Sequence, residues 1–388
     1  MRAGTDRGNV ARGLPAWTER GEERKGDGAV VELAPHKVGF LGESGVITEA
    51  AFEQGAGGIL RARFEEAFET GELDRPVELV VRSCWGLPSG SADAMCRGWN
   101  ELADEGVLAI IGPGITDNCI AVTPLFEARG VPTINFPGTT KSRGRYGFHY
   151  QIGALYGDGP LIARAMARRD LRSVAVVRDQ SPIGAEFYEA FERECEHAGI
   201  AIVRDVKCSP VAEDLGPAAQ AAAQAETAAL AYLGYGGVLL ELSRALRTIG
   251  WDPPRFTTSA GMHFYRMDDD ERRDMSGWVY VDMVDEDNDT LTRAMDTVER
   301  RTGRRPQGAV AGGMWDMATL AVLGIRNAPV LTPEGVMEGL ELIQQVPSAL
   351  GAAGTVMGFG PWERTALKGE RYLVLREMRG TESVKYAG

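Results

Sequence analysis

Thr116 and the run Gly138, Thr139, Thr140 are the residues of this chain whose types and spacing best suit binding chemistry. Hydroxyls beside the free N–H groups of a helix start receive an anion, or a neutral acceptor, without a full positive charge nearby. Both sets follow short apolar runs. Leu108, Ala109, Ile110 and Ile111 are continuous, as expected of a parallel strand covered on both faces, and Gly112, Pro113 and Gly114 break the run where the chain must turn. Thr116 can cap the helix that follows, Gly130 is placed to end it, and Pro132 blocks its continuation. Residues 133–136 are β-branched and aromatic enough for the next strand. The spacing therefore brings two strand ends side by side on the edge of an open α/β sheet that binds ligands.

Reactive constellations do not assemble in the same way. GESG runs into Val46 rather than a nucleophile elbow, the loop at Lys141 has only Gly138 ahead of it, and no HExxH occurs. The reading is of a protein that is not an enzyme and has no cofactor. His36, His149, His197 and His263 share no metal-ligand spacing. The acidic run at 285–289 superficially suggests calcium, but Thr290 stands at the sixth loop position where glycine is needed and Asp296 at the twelfth where glutamate is expected, so no metal is assigned. Five cysteines without CxxC spacing read as small core residues.

With 388 residues the chain has room for two domains, and its net charge of -13 disfavours a polyanion, so no nucleic-acid partner is expected. No run approaches the roughly 18 apolar residues that span a bilayer, so no direct membrane insertion is expected. Residues 1–36 are rich in Gly, Arg and Glu and lack the apolar core of a secretory signal, which predicts a disordered leader. Localisation stays open: the sequence as written reads as cytoplasmic.

These residues need a scaffold, and the periodicity supplies one. From 36–42 the chain alternates strand and helix: strands at 36–42, 76–83, 108–111, 133–136 and 148–152, then 173–178, 200–206, 228–235 and 257–259, with helices between and loops of two to six residues. Such alternation predicts two parallel-sheet lobes. A strand at 278–284, helices at 290–301, 309–325 and 333–345, and strands at 355–359 and 371–377 complete the chain. Crossings between lobes are expected near 148–153, 277–284 and 354–360, forming a hinge. The expected division is a leader at 1–36, lobe 1 at 37–150 plus 279–352, and lobe 2 at 151–278 plus 353–388.

The ordered set of motifs resembles the type I periplasmic binding proteins of the branched-chain amino acid (Leu/Ile/Val) branch. It comprises GES after the first strand, AIIGPGIT, GVPTINFPGTT, YGDGP, VAVVRDQSPIG, YLGYGG, WDMATLAVL and GTVMGFGPWER. The resemblance implies a Rossmann-like two-lobed clamp with a three-segment hinge, and ligand contacts from Ser44, Thr116, Gly138, Thr139, Thr140 and Met262. Tyr156 matches an aromatic that closes over the ligand, and Tyr232 or Tyr235 another. One departure bears on ligand class. Where amino acid binders present an acidic residue to the ligand ammonium, this chain has Ser259, Ala260, Gly261 and Met262. An apolar or aromatic acid, or an amide, is favoured unless Glu43 or Asp117 reaches across. The function implied is solute binding for an ABC-type uptake system, with a membrane permease as partner. The alternative is a cytoplasmic sensor like the amide-sensing regulator of an amidase operon, with a regulatory protein partner. Trp315 and Asp316 are read as packing.

Overall fold

The computed structural model describes residues 34–45, 48–369 and 371–388, so most of the expected leader lies outside the described residues. Residues 35–388 form one unit on two large sheets, with a third sheet of only two strands. The chain begins with β1 (His36–Gly42), α1 (Glu49–Phe52), a π-helical turn (Glu53–Gly57) and α2 (Gly58–Glu69). It continues through β2 (Val77–Ser83), α3 (Ala92–Asp104), β3 (Ala109–Ile111), α4 (Thr116–Arg129), β4 (Thr133–Asn135) and β5 (Gly147–His149). These strands make a wholly parallel sheet ordered β2-β1-β3-β4-β5. The three residues of β3 are all buried, as a continuous apolar run between two helical layers requires.

The second lobe holds α5 (Asp158–Arg168), β6 (Ser173–Asp179), α6 (Pro182–Ala198), β7 (Ala201–Cys208), α7 (Gly216–Ala223), β8 (Ala229–Leu233), α8 (Leu239–Thr248) and β9 (Arg255–Thr257). A 3-10 helix (Ser259–Arg266), α9 (Asp269–Asp274) and β10 (Trp278–Asp282) follow. Back in the first lobe lie α10 (Asp289–Thr302), α11 (Gly308–Asn327), α12 (Pro333–Glu341), β11 (Val346–Pro347) and β12 (Val356–Met357). The terminal hairpin β13 (Val374–Arg379) and β14 (Glu382–Lys385) completes the second sheet, ordered β14-β13-β10-β9-β8-β6-β7. That sheet is mixed, because β13 runs antiparallel to β10 and β14 to β13. Three of the acidic residues first weighed for calcium hold this hairpin: Lys385 meets Asp285 at 2.7 Å and Asp287 at 2.9 Å, and Arg376 meets Glu286 at 2.6 Å. Among the described residues no group of three or more His, Cys, Asp or Glu is arranged to hold a metal ion.

Three sequence expectations are corrected. Trp278–Asp282 pairs with β9 and β13, so the return to lobe 1 comes after Asp282 and not at 279. The last crossing is also later than 354–360, since Thr365 bridges His149 at the edge of the first sheet. Finally, α11 is long and apolar enough by length and composition to cross a membrane, although 83% of its apolar window is buried inside the protein, as in a core helix. Asp316 on α11 ties that core together: it accepts from Tyr150 Oη at 2.5 Å, Ser348 Oγ at 2.6 Å and the Ala349 N–H at 2.8 Å.

Candidate functional site

In each large sheet one strand has the next two strands of the chain on opposite sides of it: β2 and β3 flank β1, and β7 and β8 flank β6. Between β1 and β3, and between β6 and β8, the direction of winding reverses and the loops leave in opposite senses, opening a crevice at the carboxyl ends of the strands. The two crevices face one another. They bound a cavity of about 730 Å³ that includes Glu43 and Ser44 after β1, Gly114 to Thr116 after β3, Ile183 after β6, and Gly234 and Tyr235 after β8. Phe40, Phe52, Phe136, Leu155, Phe187 and Met314 give it a largely apolar wall.

On the first lobe Glu43 dominates. Its Oε1 accepts the N–H groups of Gly114 (2.7 Å) and Ile115 (2.9 Å), and its Oε2 accepts Nδ2 of Asn118 (2.8 Å). Asn118 is itself fixed by the Leu87 N–H and carbonyl, at 2.8 and 3.1 Å. Burial pushes the Glu43 carboxyl above its ordinary pKa, and the hydrogen bonds from Asn118, Gly114 and Ile115 with the charge of Arg266 offset part of that rise. Gly112 makes the turn possible, at φ +96°, where a Cβ would stand 2.6 Å from the Leu41 carbonyl oxygen. Thr116 does not cap α4 as expected. Ile115 is the capping residue, and the Thr116 hydroxyl, on a side chain 1% exposed in the cavity wall, has no hydrogen-bond partner.

The opposite wall rests on the 3-10 helix. With three residues per turn its side chains form three rows. Ser259, Met262 and Tyr265, and Ala260, His263 and Arg266, all line the cavity. The third row turns into the protein: Phe264 is buried, and a Cβ on Gly261 would lie 2.5 Å from the Tyr280 ring. Asp158 holds the start of this helix through the Ser259 N–H at 2.7 Å, and burial raises its carboxyl to about 6. His263 is pushed down to about 4 by burial and is neutral near pH 7; its ring meets that of Tyr235 edge-on at 4.8 Å. Arg266 has no side-chain hydrogen bond or ion pair among the described residues, and its charge reaches both Glu43 and Tyr235.

Of the residues expected to bind ligand, Ser44, Thr116, Gly138, Tyr235 and Met262 line the cavity, with Ser44 exposed at its rim. Gly138 is needed for close approach, since a Cβ would stand 2.4 Å from Leu155. The other four lie elsewhere. Thr139 donates to Glu186 across the lobes at 2.8 Å, while Thr140 is exposed outside the cavity wall. Tyr156 is 44% exposed, and its hydroxyl meets Gln151 at 3.2 Å. Tyr232 is fully buried and donates to Asp179 at 2.6 Å; Asp179 also accepts the Tyr235 N–H at 2.7 Å, so Tyr232 acts by setting the Tyr235 loop. Asp117, weighed as a charge partner, lies against α6 instead of lining the cavity: its carboxyl is raised to about 6 by burial, with Asp179 and Glu186 adding like charge. Sequence reading missed Asn118 and Arg266. The latter had one signal, the only cation in the eight residues from Ser259 to Arg266, in a segment left without an assigned structure.

No curated protein matches the chain in sequence. Solved structures do match its fold. A type 1 periplasmic binding protein from Bordetella pertussis has a TM-score of 0.77 at 15% identity, covering 91% of this chain and 100% of its own. A leucine-binding protein from Thermotoga maritima gives 0.75 at 16%, covering 91% and 98%. An ABC transporter solute-binding protein from R. palustris, solved in complex with 4-hydroxybenzoate, gives 0.76 at 18%, covering 91% and 96%. The family described as periplasmic binding protein matches residues 35–365. With that match over most of its length, and a two-lobed fold like that of the type I leucine-binding proteins, this chain belongs to the periplasmic binding protein family.

Proposed function

We propose that the protein is the solute-binding component of an ABC-type uptake system, closing its two lobes on a small ligand with an apolar or aromatic body and a carboxylate or amide head, and performing no chemistry on it. The observation that carries this reading is the interlobe cavity, whose apolar walls carry an unpartnered Thr116 hydroxyl on one lobe and an unpaired Arg266 on the other, with Arg272, Arg304 and Arg305 as further cations in the lining. Cavities of this size and lining accept small organic ligands, with few polar groups setting orientation. Arg266 supplies the counter-charge for an acid. The relative holding 4-hydroxybenzoate supports an aromatic acid. Against an α-amino acid stands the stretch from Ser259 to Met262, which offers no carboxylate to an ammonium, while the carboxylate that does line the cavity, Glu43, already accepts from Gly114, Ile115 and Asn118 and has little capacity left for three ammonium donors. The family's partner in uptake, a membrane permease, is part of the same proposal.

A thermal-shift screen of amino acids paired with their deaminated analogues tests it. Ligand at a hundred times its dissociation constant adds about 2.7 kcal/mol of stability. The analogues are expected to stabilise the protein and the amino acids to do so weakly. Stabilisation by the amino acids alone would overturn the ligand class, and a flat response to every small solute would overturn solute binding itself.

A further inference from the structure

Glu43 occupies a place where a ligand carboxylate would otherwise be welcome. Its carboxylate takes the two N–H groups leading into α4 and the Asn118 amide, so three good donors that face the crevice between β1 and β3 are already used by the chain's own anion. A carboxylate has room for about four hydrogen bonds. Three are made, and Glu43 still forms part of the cavity wall, which leaves about one acceptor site unused at the cavity. The Thr116 hydroxyl beside it, buried and unpartnered, gives this end a second polar group awaiting a partner. Across the cavity Arg266 stands unpaired within electrostatic reach of Glu43 but forms no ion pair with it. The space between an acceptor-bearing wall and a cationic wall has a polarity, and a ligand lying in it acquires an orientation.

We propose that Glu43 is a specificity-determining residue: it excludes a ligand carboxylate from the α4 end of the cavity and selects a ligand that presents one neutral hydrogen-bond donor there, a hydroxyl or amide N–H, while its acid or carbonyl end turns toward Arg266. An ammonium suits this end poorly. It brings three donors to a carboxylate with about one free site, so two of its N–H groups would be left without partners in a buried wall. A second carboxylate suits it worse, because two like charges would share one low-dielectric wall. The proposal rests on the solute-binding reading above and narrows it from an acid or amide to a ligand with a donor at the far end.

Two measurements separate the proposal from that reading. The first needs no knowledge of the solute: Glu43→Ala vacates the Gly114, Ile115 and Asn118 donors, and acetate should then raise the melting temperature of the variant relative to matched sodium chloride, while leaving the wild-type protein unmoved. The second compares benzoate, 4-hydroxybenzoate, benzamide and phenylalanine by calorimetry. The wild-type protein should favour 4-hydroxybenzoate over benzoate and benzamide, neither of which has a donor opposite its acid or carbonyl end, by about tenfold, the scale of one hydrogen bond to a charged group. Glu43→Gln keeps an oxygen for the Gly114 and Ile115 N–H groups and puts an NH2 where the other oxygen accepted from Asn118, so it removes the charge and the free acceptor site; it should remove or reverse that preference and serves if the alanine variant does not fold. Acetate rescue with no binding of any panel member would retain Glu43 as the occupant of the site while defeating the aromatic ligand class of the solute reading. Absence of acetate rescue in a folded Glu43→Ala, or an unchanged preference in Glu43→Gln, would overturn the proposal.

Discussion

Thr116 concentrates both the reach and the error of residue-level reading. Its place after a strand end predicts a ligand contact and a helix cap, and the structure separates the two roles: Ile115 takes the cap, Glu43 satisfies the leading N–H groups, and the hydroxyl is left unpartnered in the cavity wall. A buried hydroxyl without a partner costs about 1–3 kcal/mol. Thr116→Val keeps the shape and removes that cost, so the ligand-free variant should be as stable as the parent or more so, while ligand affinity falls by about 1–3 kcal/mol if the hydroxyl meets a polar head. Denaturant melts paired with titration calorimetry measure both signs, and unchanged affinity would remove Thr116 from the site. Thr140→Val should do neither, because Thr140 is exposed outside the cavity. The sequence could not distinguish these two threonines, because each follows a strand; that Thr116 lines the cavity and Thr140 does not is decided by loop geometry with no local signal.

Elements show the same division between what a pattern states and what tertiary contact decides. The strand and helix alternation was legible because buried parallel strands are apolar runs and because Thr48, Ser91 and Thr332 announce helices that they do cap. The 3-10 helix was not legible, since short three-residue periodicity has no strong propensity signal and Gly261 lies at its centre. Nor could pairing across the lobes be seen. The loop after β4 meets α6 there: Thr139 Oγ1 donates to both carboxylate oxygens of Glu186 at 2.9 and 2.8 Å, and Lys141 Nζ lies 3.0 Å from the same group. These contacts exist only while the lobes are together. Glu186→Ala should therefore destabilise the closed form by about 1–3 kcal/mol and speed ligand release, with each lobe intact. Stopped-flow displacement reads it, and an unaltered release rate would show that closure does not depend on this contact. Asp316 gives the contrasting case within one lobe. Asp316→Ala strands the Tyr150 and Ser348 hydroxyls and the Ala349 N–H, and should cost at least about 2 kcal/mol in urea unfolding.

At the scale of the molecule, the two sheets and their three connections follow from the order of the parts, but the points of crossing do not. β10 stays with the second sheet because its whole length is buried between β9 and β13, and 364–366 stay with the first because His149 pairs with them; neither fact has a local signal. The connections run close together. The Gly153 N–H lies 3.1 Å from the Met283 sulfur; Gly351, still in the first lobe, donates its N–H to the Met283 carbonyl at 2.7 Å, and the next N–H, of Ala352, donates to the carbonyl of Arg371 in the last connection at 3.2 Å, so motion about them would be a concerted hinge. Closure about that hinge buries Asp117 of α4 against α6, beside Asp179 and Glu186, and burial together with those like charges holds its carboxyl at about 6, against 3.8 for an unperturbed aspartate. In an open form the same group faces water and returns toward that ordinary value. A carboxyl whose pKa is higher when closed takes up a proton on closing, so closure is hindered above about pH 6 and eased as the pH falls through that value, with no further gain below the ordinary range. Ligand affinity should therefore rise severalfold from about pH 7.5 to about pH 5.5, with proton uptake visible as a dependence of the binding heat on buffer ionisation enthalpy. Glu43, also raised by burial, adds to the same trend only so far as opening exposes it, because its three hydrogen bonds lie within one lobe. Asp117→Asn cannot titrate and should flatten most of the pH dependence while raising affinity at neutral pH. If the variant keeps the parent's slope, the proton is taken up elsewhere and Asp117 does not gate the closing of the lobes.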